Sequence, residues 1–199
     1  MKVISFEGFE YSGKSTQIKL LKKYFIKNNI KSTFTREPGG NKDLEKIRNV
    51  ILKSNFDNLS LIMFFFASRF ALLSSIKKND FIVFDRFFDS TYAYQKYNSK
   101  EKKLIISLIK LIDKKFIPKI TFYLKLDKKN LISRKNKRLY SNKFDKKYFG
   151  QFSRIQKNYE EISKIKIGER KFVAIDASLS ANEVHDKIIL NLKKCKLIK

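Results

Sequence analysis

The chain has 199 residues, with 45 Lys and Arg against 19 Asp and Glu, for a formal net charge of +26. At 43% hydrophobic it can fill a core, which excludes global disorder. A single cysteine, Cys195, excludes an internal disulfide and suits a reducing compartment such as the cytoplasm, and a single histidine leaves neither a Cys/His zinc cluster nor His-based catalysis. The longest apolar stretch, Leu61 to Leu73, is broken by Ser68 and Arg69, short of the roughly 18 uninterrupted residues of a membrane span. Residues 1–6 lack the apolar region of a signal peptide, so no membrane association is expected.

Lys2–Glu7 (KVISFE) is an apolar run that meets a glycine, the pattern of a buried strand. Lys14–Asn28 places Ile18, Leu20, Leu21, Tyr24 and Phe25 near helical period. Lys31–Thr35 reads as a second strand, ended by Glu37-Pro38-Gly39-Gly40. Asp43–Lys53 and the very apolar Asn58–Lys77 read as helices, and Asp80–Asp85 as a third strand. A helix starts near Ser90, Glu101–Phe116 is a clear amphipathic helix, and Lys119–Leu126 follows as a strand. Asn130–Lys147 is polar and Lys-rich with no apolar period, which suits a mobile lid. Tyr148–Ile167 returns to helix, Lys171–Ile175 is a fifth strand, and Ala181–Lys194 is a closing helix. The alternation predicts an α/β fold with a five-stranded parallel sheet flanked by helices on both faces. It forms one domain, 1–199, with a lid at about 134–147.

The charge invites a nucleic-acid reading. Only eight of the 45 basic residues are Arg, however, and no basic run is interleaved with aromatics on one face, so scattered solvated Lys is the favoured explanation and a nucleic-acid partner is not expected. If Lys serves wherever plain charge suffices, the remaining Arg mark positions that need a planar fork. Glycine is equally scarce, and four of six (Gly8, Gly13, Gly39 and Gly40) fall in two short segments.

Gly8-Phe9-Glu10-Tyr11-Ser12-Gly13-Lys14-Ser15 fits G-x-x-x-x-G-K-[ST] between a strand and a helix, the context of a P-loop. Its amides and the helix N-terminus, through Thr16, would cradle phosphates, with Lys14 on the β and γ groups and Ser15 on Mg²⁺. Asp85 ends an apolar strand at the same sheet edge and would share the metal, with Arg86 directed into the same crevice. Thr35-Arg36-Glu37-Pro38-Gly39-Gly40 closes a neighbouring strand with an unusual loop that could equally be a structural turn.

These segments together resemble the thymidylate kinase family, of the bacterial kind. The T-R-E-P-G-G loop is intact at Thr35–Gly40, and D-R-[YFH] stands as Asp85-Arg86-Phe87, followed by Asp89-Ser90-Thr91-Tyr92-Ala93-Tyr94-Gln95. The F-x-A-x-R element is Phe65-Phe66-Ala67-Ser68-Arg69, and Ile175-Asp176-Ala177-Ser178 matches the adenine-side loop. The resemblance implies ATP-dependent phosphorylation of dTMP to dTDP with Mg²⁺, a P-loop NTPase fold and a homodimer. It also implies that Phe65 stacks on thymine, that Arg69 and Gln95 read its polar edge, and that Arg86, helped by Arg48, binds the acceptor phosphate. Glu10 and Glu37 would lie near the sugar and its phosphate, with Tyr94 under the sugar and Arg36 and Thr91 completing the acceptor side. Read without the resemblance, Phe65 could equally be core.

The lid matches at Arg134 and Arg138 but departs at Asn142-Lys143-Phe144-Asp145, where the family has D-R-x-E. Arg138 is the candidate for the charge that neutralises the transferring phosphoryl group, since positions 9–12 of the P-loop carry no Arg. Arg134 and Ala177 would flank ATP. Tyr11 stands where relatives carry a small residue or Arg. Asn142–Asp145 also spells N-K-x-D, yet no D-x-x-G accompanies it, which argues against a GTPase switch. The remaining alternatives are a kinase of another nucleotide or nucleoside and a P-loop nucleic-acid binder.

Overall fold

The structure is a computed structural model, and it describes residues 1–136 and 148–199. In chain order the elements are β1 (Lys2–Glu7), α1 (Lys14–Lys27), β2 (Ser32–Arg36), α2 (Lys42–Lys53), α3 (Asn58–Ser75), β3 (Phe81–Asp85), α4 (Phe88–Gln95) and α5 (Ser99–Lys110). They continue with β4 (Ile120–Lys125), α6 (Lys128–Asn136), α7 (Phe152–Ser163), β5 (Lys171–Asp176) and α8 (Ala181–Lys194). The described strands form one parallel sheet in the order β2-β3-β1-β4-β5.

The buried apolar strand residues divide between two cores. Ile4, Phe6 and Val83 pack in a cluster with Leu21 and Phe25 of α1, Phe152, Ile155 and Tyr159 of α7, and Ile188 and Leu192 of α8. Val3, Ile82 and Phe84 point the other way, against Ile62 and Phe66 of α3, Phe88 and Tyr92 of α4, and Ile105 and Ile109 of α5. A sheet covered on both faces requires strands that are apolar on both faces, which is why KVISFE and FIVFD read as continuous runs. α3 has the length and composition to cross a bilayer. Here it lies against α2 and α4, and its one charged residue, Arg69, is buried in an ion pair.

Helix starts are written in the local sequence. Asn41 accepts from the Leu44 N–H and Asp57 from the Ser60 N–H. Asn98 with Glu101, and Ser180 with Glu183, form capping boxes at the starts of α5 and α8. Two expectations are corrected. The amphipathic stretch 101–116 is not one helix: α5 ends at Lys110 and a separate 3₁₀ turn covers Lys114–Phe116, capped by Asp113. The first part of the expected lid is helical, because the Asp127 carboxylate accepts from the Asn130 N–H and Leu131 is buried. One buried side chain gives too little period to read. The lid positions Arg138 and Asn142–Asp145 lie outside the described residues.

Because β1, β3 and β4 are parallel neighbours, the segments after Glu7, Asp85 and Lys125 emerge at one edge. The register sets Phe6 beside Asp85 and Asp85 beside Arg36. This edge, where the connections diverge around β1, is the place where α/β sheets bind ligands.

Candidate active site

The β1–α1 turn has the shape of a phosphate cradle. Gly8, Tyr11 and Gly13 all have positive φ (143°, 66° and 88°), and a Cβ on Gly8 would lie 2.7 Å from both the Leu124 carbonyl and Ser12 Oγ. α1 opens with no side-chain cap, so its first-turn N–H groups face the turn without a side-chain acceptor. Lys14 is 8% exposed, and its Nζ donates to the carbonyls of Gly8 (2.9 Å) and Phe9 (3.0 Å). Burial, and then Arg86, pull its pKa down to about 8. Phe9 contributes main chain only. Its ring is buried, edge-on to Phe152 and stacked at 6.0 Å on Tyr94.

Arg86 has φ 67°, outside the comfortable range of a non-glycine residue. Its fork is held by protein oxygens on one side and faces the neighbouring pocket on the other. Nη1 donates to the Gly8 carbonyl (3.1 Å) and Ser90 Oγ (3.0 Å), and Nη2 to Glu10 Oε1 (2.6 Å), with the Tyr94 ring 5.2 Å away. Tyr94 OH in turn donates to Glu10 Oε2 at 2.8 Å. Gly8 is thus shared between the phosphate cradle and the arginine fork.

Beside this fork opens a pocket of about 600 Å³, counting the solvent at its mouth. Glu10, Glu37, Arg48, Phe65, Arg69, Arg86, Thr91, Tyr94 and Gln95 all line it. Pro38, Leu52, Phe87 and Ser90 line it too; the motifs name Pro38, Phe87 and Ser90 without giving them a site role, and no motif covers Leu52. At its buried end Arg69 donates from Nε to Glu37 Oε2 (2.7 Å) and from Nη2 to Thr91 Oγ1 (3.1 Å). Arg69 Nη1 and Glu37 Oε1 are buried and have no hydrogen-bond partner among the described residues, so they remain for a ligand. Burial raises the Glu37 carboxyl to about 7 despite Arg69. Gln95 Nε2 donates to Tyr148 OH, and Arg48 Nη1 to the Pro38 carbonyl.

Arg36 is the exception. Its side chain is 54% exposed, and its fork grips Glu45 of α2 (3.0 and 2.6 Å), which also accepts from the Gly40 N–H. The fork geometry expected of a scarce Arg is present, but it pins the loop rather than lining the pocket. On the other flank, Arg134 Nη1 donates to the Tyr11 carbonyl (3.1 Å) and Nη2 to the Ala177 carbonyl (2.5 Å), tying the cradle to the β5–α8 connection. Ser15 and Thr16 are exposed at the start of α1.

The family model described as thymidylate kinase matches residues 6–188. Similar proteins include the thymidylate kinase of Chlorobium limicola, 34% identical over 96% of this chain and 94% of its own. That of the Wolbachia of Culex pipiens is 35% identical over 97% and 96%. The crystal structure of thymidylate kinase from Ehrlichia chaffeensis superposes with a TM-score of 0.71 at 30% identity, covering 96% of this chain and 98% of that one.

Proposed function

The chain belongs to the thymidylate kinase family, and on that premise we propose how its residues divide the work of phosphorylating dTMP to dTDP at the expense of ATP. The observation that carries the assignment is the Arg86 fork, fixed against Gly8 of the cradle and open to the neighbouring pocket. One residue thereby joins a triphosphate site to an acceptor site.

The triphosphate lies along Gly8–Thr16, held by main-chain amides and Lys14, with the adenine beside the Arg134–Ala177 pair. dTMP fills the pocket: its phosphate on Arg86 and Arg48, its base between Phe65 and Arg69, its sugar over Tyr94 near Glu10. Arg69 Nη1 meets a carbonyl oxygen of the base, and Glu37 holds the Arg69 fork in place. A dTMP phosphate oxygen attacks the γ phosphorus in line, the bond from that phosphorus to the β–γ bridging oxygen breaks, and ADP leaves. The nucleophile is already anionic, so positioning and charge neutralisation carry the catalysis and no strong general base is required. Arg138 is assigned the lid-side charge by resemblance alone.

Among the described residues no cluster of three or more His, Cys, Asp or Glu could hold a metal by itself. One carboxylate and one hydroxyl, Asp85 and Ser15, fit Mg²⁺, which keeps waters and takes one or two protein ligands plus substrate phosphates. Asp85 is half-buried at the sheet edge, and it and Ser15 would hold the ion in this reading. An ion held by those two residues would supply charge neutralisation to the donor's phosphates.

The enzyme acts in the cytoplasm as a homodimer, without nucleic acid. In this reading the exposed Leu59, Met63 and Phe64 of α3, with Ile47 and Val50 of α2, form the subunit contact. A coupled ADP-release assay across dTMP, dUMP, dCMP, dGMP and AMP tests the substrate assignment. dTMP is expected to give the highest kcat/KM, and a purine monophosphate in first place would overturn it.

A further inference from the structure

We propose that Glu7, the last residue of β1, is a positioning residue that sets the Arg86 fork for the acceptor phosphate. The inference deepens the reading above and rests on its assignment of Arg86. Glu7 is fully buried and lies beneath the pocket rather than in its lining. Its carboxylate takes three donors. The Phe87 N–H reaches Oε1 at 2.7 Å, and Ser90 Oγ and Tyr159 OH reach Oε2 at 2.6 and 3.1 Å.

Two of these donors belong to the machinery around Arg86. Phe87 follows it in the chain, so the N–H groups on both sides of the positive-φ residue are tied to consecutive residues of β1: Arg86 N–H to the Phe6 carbonyl at 2.9 Å, and Phe87 N–H to Glu7. Ser90 carries a single hydroxyl hydrogen. The short bond to Glu7 uses it, which leaves the oxygen lone pairs to accept from Arg86 Nη1 at 3.0 Å. A carboxylate is acceptor-only and suits three donors, whereas an amide would turn its own N–H groups on one of them.

Burying a carboxylate in a strand is costly, and an apolar side chain would suit β1 better as plain structure. Burial and then the charge of Asp89 raise the Glu7 carboxyl to about 8, against the Ser90 hydrogen bond, the Arg86 charge and the Phe87 N–H, so the three-donor arrangement is that of the ionised form. Asp89 is itself engaged by Arg170, whose fork is buried beside it. The residue therefore fits a role in aiming the fork better than a role in holding the sheet.

The test is a set of mutant cycles. Glu7→Gln and Tyr159→Phe are each made alone and combined with Arg86→Lys, and kcat and KM for dTMP are measured alongside the Kd for ATP by calorimetry. Glu7→Gln is expected to lower kcat/KM for dTMP about tenfold or more, the size of one lost charge-assisted hydrogen bond. The Kd for ATP is expected to stay within about threefold, and Glu7→Gln to add less than about threefold once Arg86 is Lys, because the two act as one unit. Equal losses toward ATP and dTMP, or losses that simply multiply in the double variant, would overturn the proposal. Should Glu7→Gln fail to fold, Tyr159→Phe carries the same cycle: its ring still stacks on Tyr123, and a selective loss of about threefold that vanishes beside Arg86→Lys is expected. An unchanged Tyr159→Phe enzyme would then overturn it. If Arg86→Lys alone leaves dTMP use intact, the assignment of Arg86 has failed. If only Arg86→Lys is impaired, the role of Glu7 alone has failed.

Discussion

Arg86 meets four oxygen atoms within 3.5 Å, from Gly8, Ser90, Glu10 and Tyr94, and a plain ammonium could not satisfy them in one plane. Arg86→Lys is therefore expected to cut kcat/KM for dTMP by about a hundredfold, close to 3 kcal/mol, while ATP affinity changes little. Steady-state kinetics with each substrate varied in turn check this. Glu37 supports a second expectation. Its folded-state carboxyl, near 7, lies above the ordinary 4.5, so the native state holds a proton that the unfolded chain releases. That contribution to stability is present below pH 4.5 and is lost as pH rises to 7. Urea unfolding at several pH values should show a shallower decline in Glu37→Gln than in the parent, and identical slopes would contradict the assignment. Much of the residue scale was readable, because scarce Arg and Gly mark special geometry. Arg36 shows the limit, since the sequence announces a fork but not which carboxylate it meets. Glu7 was invisible because one charged letter at a strand end has no pattern around it.

The strand-turn-helix element depends on Gly8, where a side chain would require a displacement of the Leu124 carbonyl or Ser12. Gly8→Ala, with a φ of 143° to maintain, is expected to weaken ATP binding at least about tenfold through ~1–3 kcal/mol of strain, with the fold retained. Calorimetry with ATP and a circular dichroism spectrum decide it. Arg134→Lys should raise KM for ATP and spare KM for dTMP, because Arg134 ties the Tyr11 and Ala177 carbonyls and touches nothing in the acceptor pocket. Strands and long helices were legible from apolar period. Helix ends were less so, because they depend on single capping groups. Asp113 and Asp127 each set a boundary that periodicity alone misses.

At the scale of the molecule, the sheet order brings four separated stretches of sequence to one edge: the cradle, the Arg36–Gly40 loop, Asp85–Arg86 and the β5–α8 connection. No local pattern encodes that order, and it is read from the structure alone. On the proposed subunit contact through the exposed apolar side chains of α2 and α3, light scattering is expected to give twice 23.6 kDa, and Met63→Glu with Phe64→Glu to shift it to the monomer. The most direct test of the whole account is a crystal structure with dTMP and a non-hydrolysable ATP analogue bound together. The triphosphate is expected inside Gly8–Ser15, the acceptor phosphate on the Arg86 fork, and thymine between Phe65 and Arg69. A structure with either nucleotide seated away from this edge, or with Arg86 turned from the acceptor phosphate, would contradict it.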